Sequence, residues 1–95
     1  MKPKTLTAKF DPGRIVITPA AMKEIDPDYG IAALSQHLQG KWGLVCKEDW
    51  ELNNKALKHG GRLVSSYPLA DDVHSFWIIT ESDRSVTTIL LPEDY

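Results

Sequence analysis

The sequence predicts an α+β domain in which three short N-terminal helical segments pack on an antiparallel sheet of three to four strands. Three observations carry that prediction. The stretch 61–91 holds three runs rich in β-branched and aromatic residues, Arg62 to Tyr67, Ser75 to Glu81 and Ser85 to Leu91. The breaks between these runs are polar and too short for a crossover helix, so consecutive runs should pair antiparallel as a C-terminal meander. Ahead of them, apolar residues recur at helical spacing in three places.

The elements follow in order. Residues 1–7 are polar and expected to be flexible. Asp11-Pro12-Gly13 is a turn signal, because Pro12 fixes φ and Gly13 tolerates positive φ. Arg14 to Thr18 then reads as a short strand, available as the fourth of the sheet. Thr18-Pro19 reads as an N-cap with proline at the first helical position, opening a helix through Ala20, Ala21, Met22 and Ile25 that Asp26-Pro27 stops. From Asp28, Ile31, Leu34 and Leu38 recur at helical spacing, with Gly40 where a C-terminal cap belongs. In the link 41–46, Trp42 and Leu44 are expected to tuck under the sheet while Gly43 permits a tight bend. A third helix starts near Glu48, carries Trp50, Leu52 or Asn53, Ala56 and Leu57, and ends at His59-Gly60-Gly61. Its acidic start and basic end complement the helix dipole.

Within the meander, a turn at Ser82-Asp83-Arg84 predicts Glu81 opposite Ser85, Ile79 opposite Thr87 and Trp77 opposite Ile89. Both faces of the sheet then carry large apolar groups. One packs on the helices, and the other should be covered by the N-terminal strand and loops, or by another molecule such as a second copy in a homodimer.

Composition bounds the function. Ninety-five residues make one domain with one modest core. An apolar share of 42% with 25% charged residues argues against disorder. A formal charge of −2 is too balanced for a strong grip on phosphate backbones, which disfavours nucleic-acid binding. The lone Cys46 cannot form an internal disulfide, no run approaches the ~20 apolar residues that span a bilayer, and the chain is expected to be cytoplasmic and without a cofactor. His37, His59, His74 and Cys46 are too scattered for a zinc site, so no metal is expected.

Thr80 to Ser85 is the densest polar cluster of the sheet region, with Arg62, Ser65 and Tyr67 on the neighbouring strand. A Glu base beside an Arg that holds a phosphate is what cleavage of RNA through the 2′-hydroxyl needs, so Glu81, Arg84 and Arg62 define one alternative: a small ribonuclease-like toxin. The plainer account is a solvated turn in which Glu81 pairs with Arg84. His37 is read as an exposed or capping residue that could serve that alternative as a general acid. The three tryptophans read as core, but an outward Trp50 would be an interface anchor. Asn53-Asn54 in mid-helix, poor helix formers, suggest a side-chain role. For a binding surface the candidates are Trp50, Tyr67, Glu81, Asp83 and Arg84.

Gln36-His37, Gly40-Lys41-Trp42-Gly43, Glu48-Asp49, Asn53, Ala56 to Gly60, Arg62-Leu63, Ser65 or Ser66, Tyr67, Trp77 to Glu81, Asp83 to Thr88 and Leu90 to Glu93 carry a resemblance. From Ile15 to the C-terminus the chain resembles a family of small uncharacterised bacterial proteins of plasmids, integrative elements and phages. Its members bear labels such as plasmid-related protein or type I restriction subunit M, the second at odds with a chain that has no methyltransferase cofactor loop. Where Lys41 stands the family pattern often has an acidic residue. The resemblance implies an accessory protein of mobile DNA. The leading expectation is therefore a non-enzymatic protein that binds a host or element-encoded protein, in one form an inhibitor of a host defence complex. A DNA-binding regulator is the remaining alternative.

Overall fold

The computed structural model describes residues 8–95, and the segment 1–7 expected to be flexible lies outside them. The elements are β1 (Arg14–Ile17), α1 (Pro19–Glu24), α2 (Pro27–Leu38), α3 (Lys47–His59), β2 (Leu63–Pro68), β3 (Ser75–Thr80) and β4 (Val86–Leu90), followed by one 3₁₀ turn, Pro92–Asp94. Local chemistry places their ends. The Thr18 hydroxyl accepts from the Ala21 amide at 3.2 Å to open α1. The Asp26 carboxylate accepts from the amides of Asp28 and Tyr29, so the residue that stops α1 also caps α2, with Pro27 in its first turn. Gly60, at φ 87°, closes α3 with its amide on the Ala56 carbonyl.

The sheet has the order β1-β4-β3-β2 and is mixed. The meander β2-β3-β4 is antiparallel as expected, but β1 runs parallel to β4, with Arg14 beside Val86 and Ile17 beside Ile89. The helices are therefore not an N-terminal layer ahead of the sheet; they lie between β1 and β2. They carry the chain across one face from one edge to the other, and β2 starts in the direction of β1. Two hairpin reversals give β4 that direction again, which makes the β1–β4 pair parallel.

The β3–β4 register differs by one residue from the expected one. Trp77 pairs with Leu90, Ile79 with Thr88 and Thr80 with Thr87. The Glu81 amide bonds the Val86 carbonyl at 3.0 Å, so the connection is the four residues 82–85, and Arg84 takes φ 62° within it. A one-residue slip turns every β4 side chain over. Thr87 and Ile89 thus join Phe76, Ile78 and Thr80 on the helix side, while Val86, Thr88 and Leu90 join Trp77, Ile79 and Glu81 on the other.

The core lies between the sheet and the helices as two clusters. Ala21, Ile25 and Ala33 of the first two helical segments pack on Tyr67, Phe76, Ile78 and Ile89. Ala56 of α3 and Trp42 pack on Leu63, with Phe10 and Trp50 alongside. Two apolar expectations fail here. Leu44 is exposed, because Gly43 approaches the β2 edge at φ 75°, a Cβ there would meet the Ser66 carbonyl at 2.0 Å, and the next amide is bonded to that same carbonyl. Ile31 is 67% exposed, because α2 buries the stripe Gly30, Ala33 and His37, whose small residues let the helix sit close to the sheet.

Candidate functional site

Arg62 directly precedes β2 and shares the face of Val64 and Ser66; across the ladder these sit beside Ile79 and Trp77. Glu81, directly after β3, points the same way as both. The outcome is one connected surface group. The Arg62 guanidinium meets Glu81 Oε1 at 3.3 Å, donates to the Tyr95 hydroxyl at 2.5 Å and lies 5.6 Å from the Tyr95 ring centroid. Tyr95 in turn stands edge-on to Trp77 at 5.6 Å. The 3₁₀ turn packs against β3 and so delivers Tyr95 to this face. Among the described residues none of α1–α3 covers the group: neither helix-side cluster includes Ile79 or Leu90, both of which are buried. The hydrogen bond to Tyr95 and the Glu81 charge both hold the Arg62 guanidinium protonated.

Arg84 does not belong to this group. Its guanidinium donates to the carbonyls of Gly61 at 2.6 Å, Ala56 at 3.0 Å and Glu81 at 3.2 Å, and lies 5.7 Å from the Phe10 ring centroid. It ties the β3–β4 turn to the C-terminal end of α3, where orphan carbonyls collect. The contact between Arg84 and Glu81 is thus to the backbone; the Glu81 carboxylate pairs with Arg62. Asp83 accepts from the Ser85 amide at 3.0 Å and holds the turn, and hydrogen bonding from the Ser85 side chain and then its amide keeps the carboxyl below the usual range.

Tyr67 is buried, its hydroxyl donates to the Lys41 carbonyl at 2.7 Å, and burial pushes it up to about 12. Trp50 is half-buried against Trp42 and Leu63 and shows its outer side to a shallow groove with Tyr29, Gln36, Lys41 and Tyr67. Of the residues singled out in the sequence, the structure joins Arg62 and Glu81 on one surface and puts Trp50 and Tyr67 on another. Trp77 and Tyr95 complete the first surface; sequence reading took Trp77 as core and gave Tyr95 no role.

His37 is neither exposed nor capping. It is completely buried, with Nδ1 2.5 Å from Ser65 Oγ and Nε2 2.9 Å from Thr80 Oγ1. Thr80 meets Thr87 at 2.7 Å, and the Thr87 hydroxyl donates to the Pro12 carbonyl at 2.7 Å. By distance Ser65 and His37 resemble a nucleophile with its base. Both are fully buried, however, so no substrate reaches them, and burial lowers His37 to about 3, so it does not take up a proton near neutrality. Among the described residues, no three His, Cys, Asp or Glu side chains are placed to hold a metal ion. Nor is any helix among them long and apolar enough to cross a membrane.

Fold and surface together define a small two-layer α+β protein whose sheet is covered by helices on one side and carries an aromatic and ionic patch on the other. No family model, curated protein or solved structure matches the chain.

Proposed function

We propose that this protein works by binding another protein through the uncovered sheet face, without catalysing a reaction. The observation that carries the reading is the Arg62–Glu81–Tyr95–Trp77 group. Aromatic residues and arginine dominate the energetics of protein interfaces, and here they lie together on a rigid sheet. The charged groups that catalysis would need are engaged elsewhere: Arg84 on backbone carbonyls, His37 inside the core. In the mobile-element setting that the resemblance implies, the partner is a host or element-encoded protein, a subunit of a defence complex being the leading candidate.

The ribonuclease reading keeps one supporting observation, the contact of Glu81 with Arg62. One pair of experiments separates the two. Affinity capture from host extract with wild type, Arg62→Ala and Tyr95→Ala should recover a protein that wild type holds and both variants hold at least about tenfold more weakly, roughly 1.4 kcal/mol. Capture that is indifferent to both substitutions would place binding elsewhere. RNA cleavage by wild type that Glu81→Ala abolishes would replace this reading with its rival.

A further inference from the structure

The two edges of the sheet are finished differently. On β2 the outward backbone groups are occupied. Asn53 donates to the Val64 carbonyl at 2.9 Å and accepts from the Val64 amide at 3.1 Å; the Ser66 amide bonds Trp42 and the Ser66 carbonyl bonds Leu44. Pro68 ends the strand without an N–H. On β1 nothing comparable exists among the described residues. The Arg14 and Thr18 amides bond Ser85 and Ile89, so Arg14, Val16 and Thr18 face β4 and the amides and carbonyls of Ile15 and Ile17 point out of the sheet. Beside this open edge lies an apolar groove of about 250 Å³, lined in part by Ile15, Ile17, Met22, Ile31 and Leu34. Met22 is 62% exposed and Ile31 67%. Natural edge strands are normally blunted by charge, proline or a covering element; here Arg14 is the one charge on the strand, and no described element covers Ile15 to Ile17.

We propose that a second copy of this chain adds its own β1 to this edge, antiparallel and centred on Val16, so that the two sheets continue into one another. The edge is complementary to itself in that register. Ile15 lies opposite Ile17 of the other copy, and the outward amides and carbonyls of the two residues meet as hydrogen-bonded pairs on both sides of the axis. Arg14 lies opposite the other copy's Thr18, whose hydroxyl donates to Asp94 at 2.6 Å. Each guanidinium therefore approaches an exposed carboxylate of the other copy, and Arg14 makes no side-chain hydrogen bond or ion pair within its own described chain. A two-fold axis normal to the sheet puts both helical layers on one side, so Met22 and Ile31 of the two copies close over the seam. An unrelated extended peptide could use the same backbone groups, but the reciprocal Arg14–Asp94 pairing belongs to a second copy. This edge is on the opposite side of the sheet from the β2 edge that Arg62 precedes, and the proposal does not depend on the function proposed for the Arg62–Tyr95 group.

Sedimentation equilibrium of the full chain at micromolar concentration, with amide hydrogen exchange, tests the proposal. Wild type should be dimeric, more weakly so at high salt, with the Ile15 and Ile17 amides slow to exchange. Arg14→Glu and, separately, Met22→Lys should weaken the dimer by roughly tenfold or more with unchanged circular dichroism. Their Ile15 and Ile17 amides should turn fast while that of Thr18 stays protected. Arg62→Ala, on the opposite edge of the sheet, should leave the dimer intact. A monomeric wild type overturns the proposal, as does a dimer indifferent to Arg14→Glu whose Ile15 and Ile17 amides exchange freely. Protection of those amides only after another protein is added overturns it in favour of a different occupant.

Discussion

The direction of every proton around His37 follows from its neighbours. Thr87 gives its proton to the Pro12 carbonyl, so Thr80 must donate to Thr87 and can only accept from His37 Nε2–H; Nδ1 then accepts from Ser65. This chain is complete only with a neutral imidazole, which agrees with the lowering to about 3 by burial and, second, by the Arg84 charge. The unfolded chain binds a proton at the ordinary histidine value of 6.5 and the folded one does not until about 3. The contribution is therefore fully present above 6.5 and is lost as pH falls toward 3. Urea unfolding at pH 5 should give a stability about 2 kcal/mol below that at pH 7, a slope that His37→Gln should flatten, and the imidazole NMR shifts should stay those of the neutral ring at pH 5. A ring that titrates near 6.5 would contradict the buried geometry. His74 has the opposite sign: Asp71 raises it, so its contribution is present below 6.5 and lost as pH rises through its folded value, but both partners are exposed and the effect is small. Much of the candidate site was legible, since Glu81 and Arg62 stood out as a base and a cation on adjacent runs. Arg84 was misleading because its direction depends on a positive φ in the turn, which no side-chain pattern announces. Tyr95 was missed because a single 3₁₀ turn, without periodicity, brings it back to the sheet. For His37 a signal did exist, the small-residue stripe Gly30-Ala33-His37.

At the scale of elements, α3 is joined to the sheet by a side chain that imitates a strand. Asn53 presents a carbonyl and an amide to Val64 as a neighbouring backbone would, which explains why a poor helix former sits in mid-helix. Asn53→Ala should cost about 2–3 kcal/mol, two hydrogen bonds with one buried amide and carbonyl left open, and should make the Val64 amide exchange quickly while Ile79 stays protected. An unchanged Val64 amide would show that water or another group takes over. Gly43→Ala should lower the melting temperature, because a Cβ would meet the Ser66 carbonyl at 2.0 Å at a φ of 75°. The same scale shows why parts of the fold were readable. The cap at Thr18, the stop at Asp26-Pro27 and the β-branched runs of the meander are local chemistry and were placed to within a residue or two; that Asp26 also caps α2 was not read. The parallel partner of β1 is not local, since it follows from how many reversals and crossings separate β1 from β4. The β3–β4 slip came from one extra residue in the turn. The rotation of α2 came from close packing of small side chains, which outweighed the hydrophobic stripe of Ile31, Leu34 and Leu38.

Across the whole molecule, the two apolar clusters under the helices are separated by a seam of completely buried polar residues, His37, Ser65, Thr80 and Thr87. Every buried side-chain polar atom among the described residues has a partner. Such a seam contributes modestly while intact and costs heavily when broken, because each orphaned hydroxyl or ring nitrogen keeps its full desolvation penalty. His37→Leu alone should thus destabilise the protein by roughly 3 kcal/mol or more, leaving the Ser65 hydroxyl without its acceptor and Thr80 with Thr87 alone. Thr80→Val alone interrupts the chain in the middle and should cost a comparable amount. Replacing all four together with Leu, Ala, Val and Val removes donors and acceptors in matched sets; Pro12, half-exposed, can turn its carbonyl to water. The combined variant should therefore cost much less than the sum of the four single changes, with a coupling of about 1–3 kcal/mol between neighbours in the chain. Its circular dichroism should stay native, but its side-chain NMR signals should broaden, since the seam fixes the depth of α2 over the sheet and apolar contacts alone tolerate sliding. Four costs that simply add would mean that the hydroxyls act independently and that the seam does not position the helix.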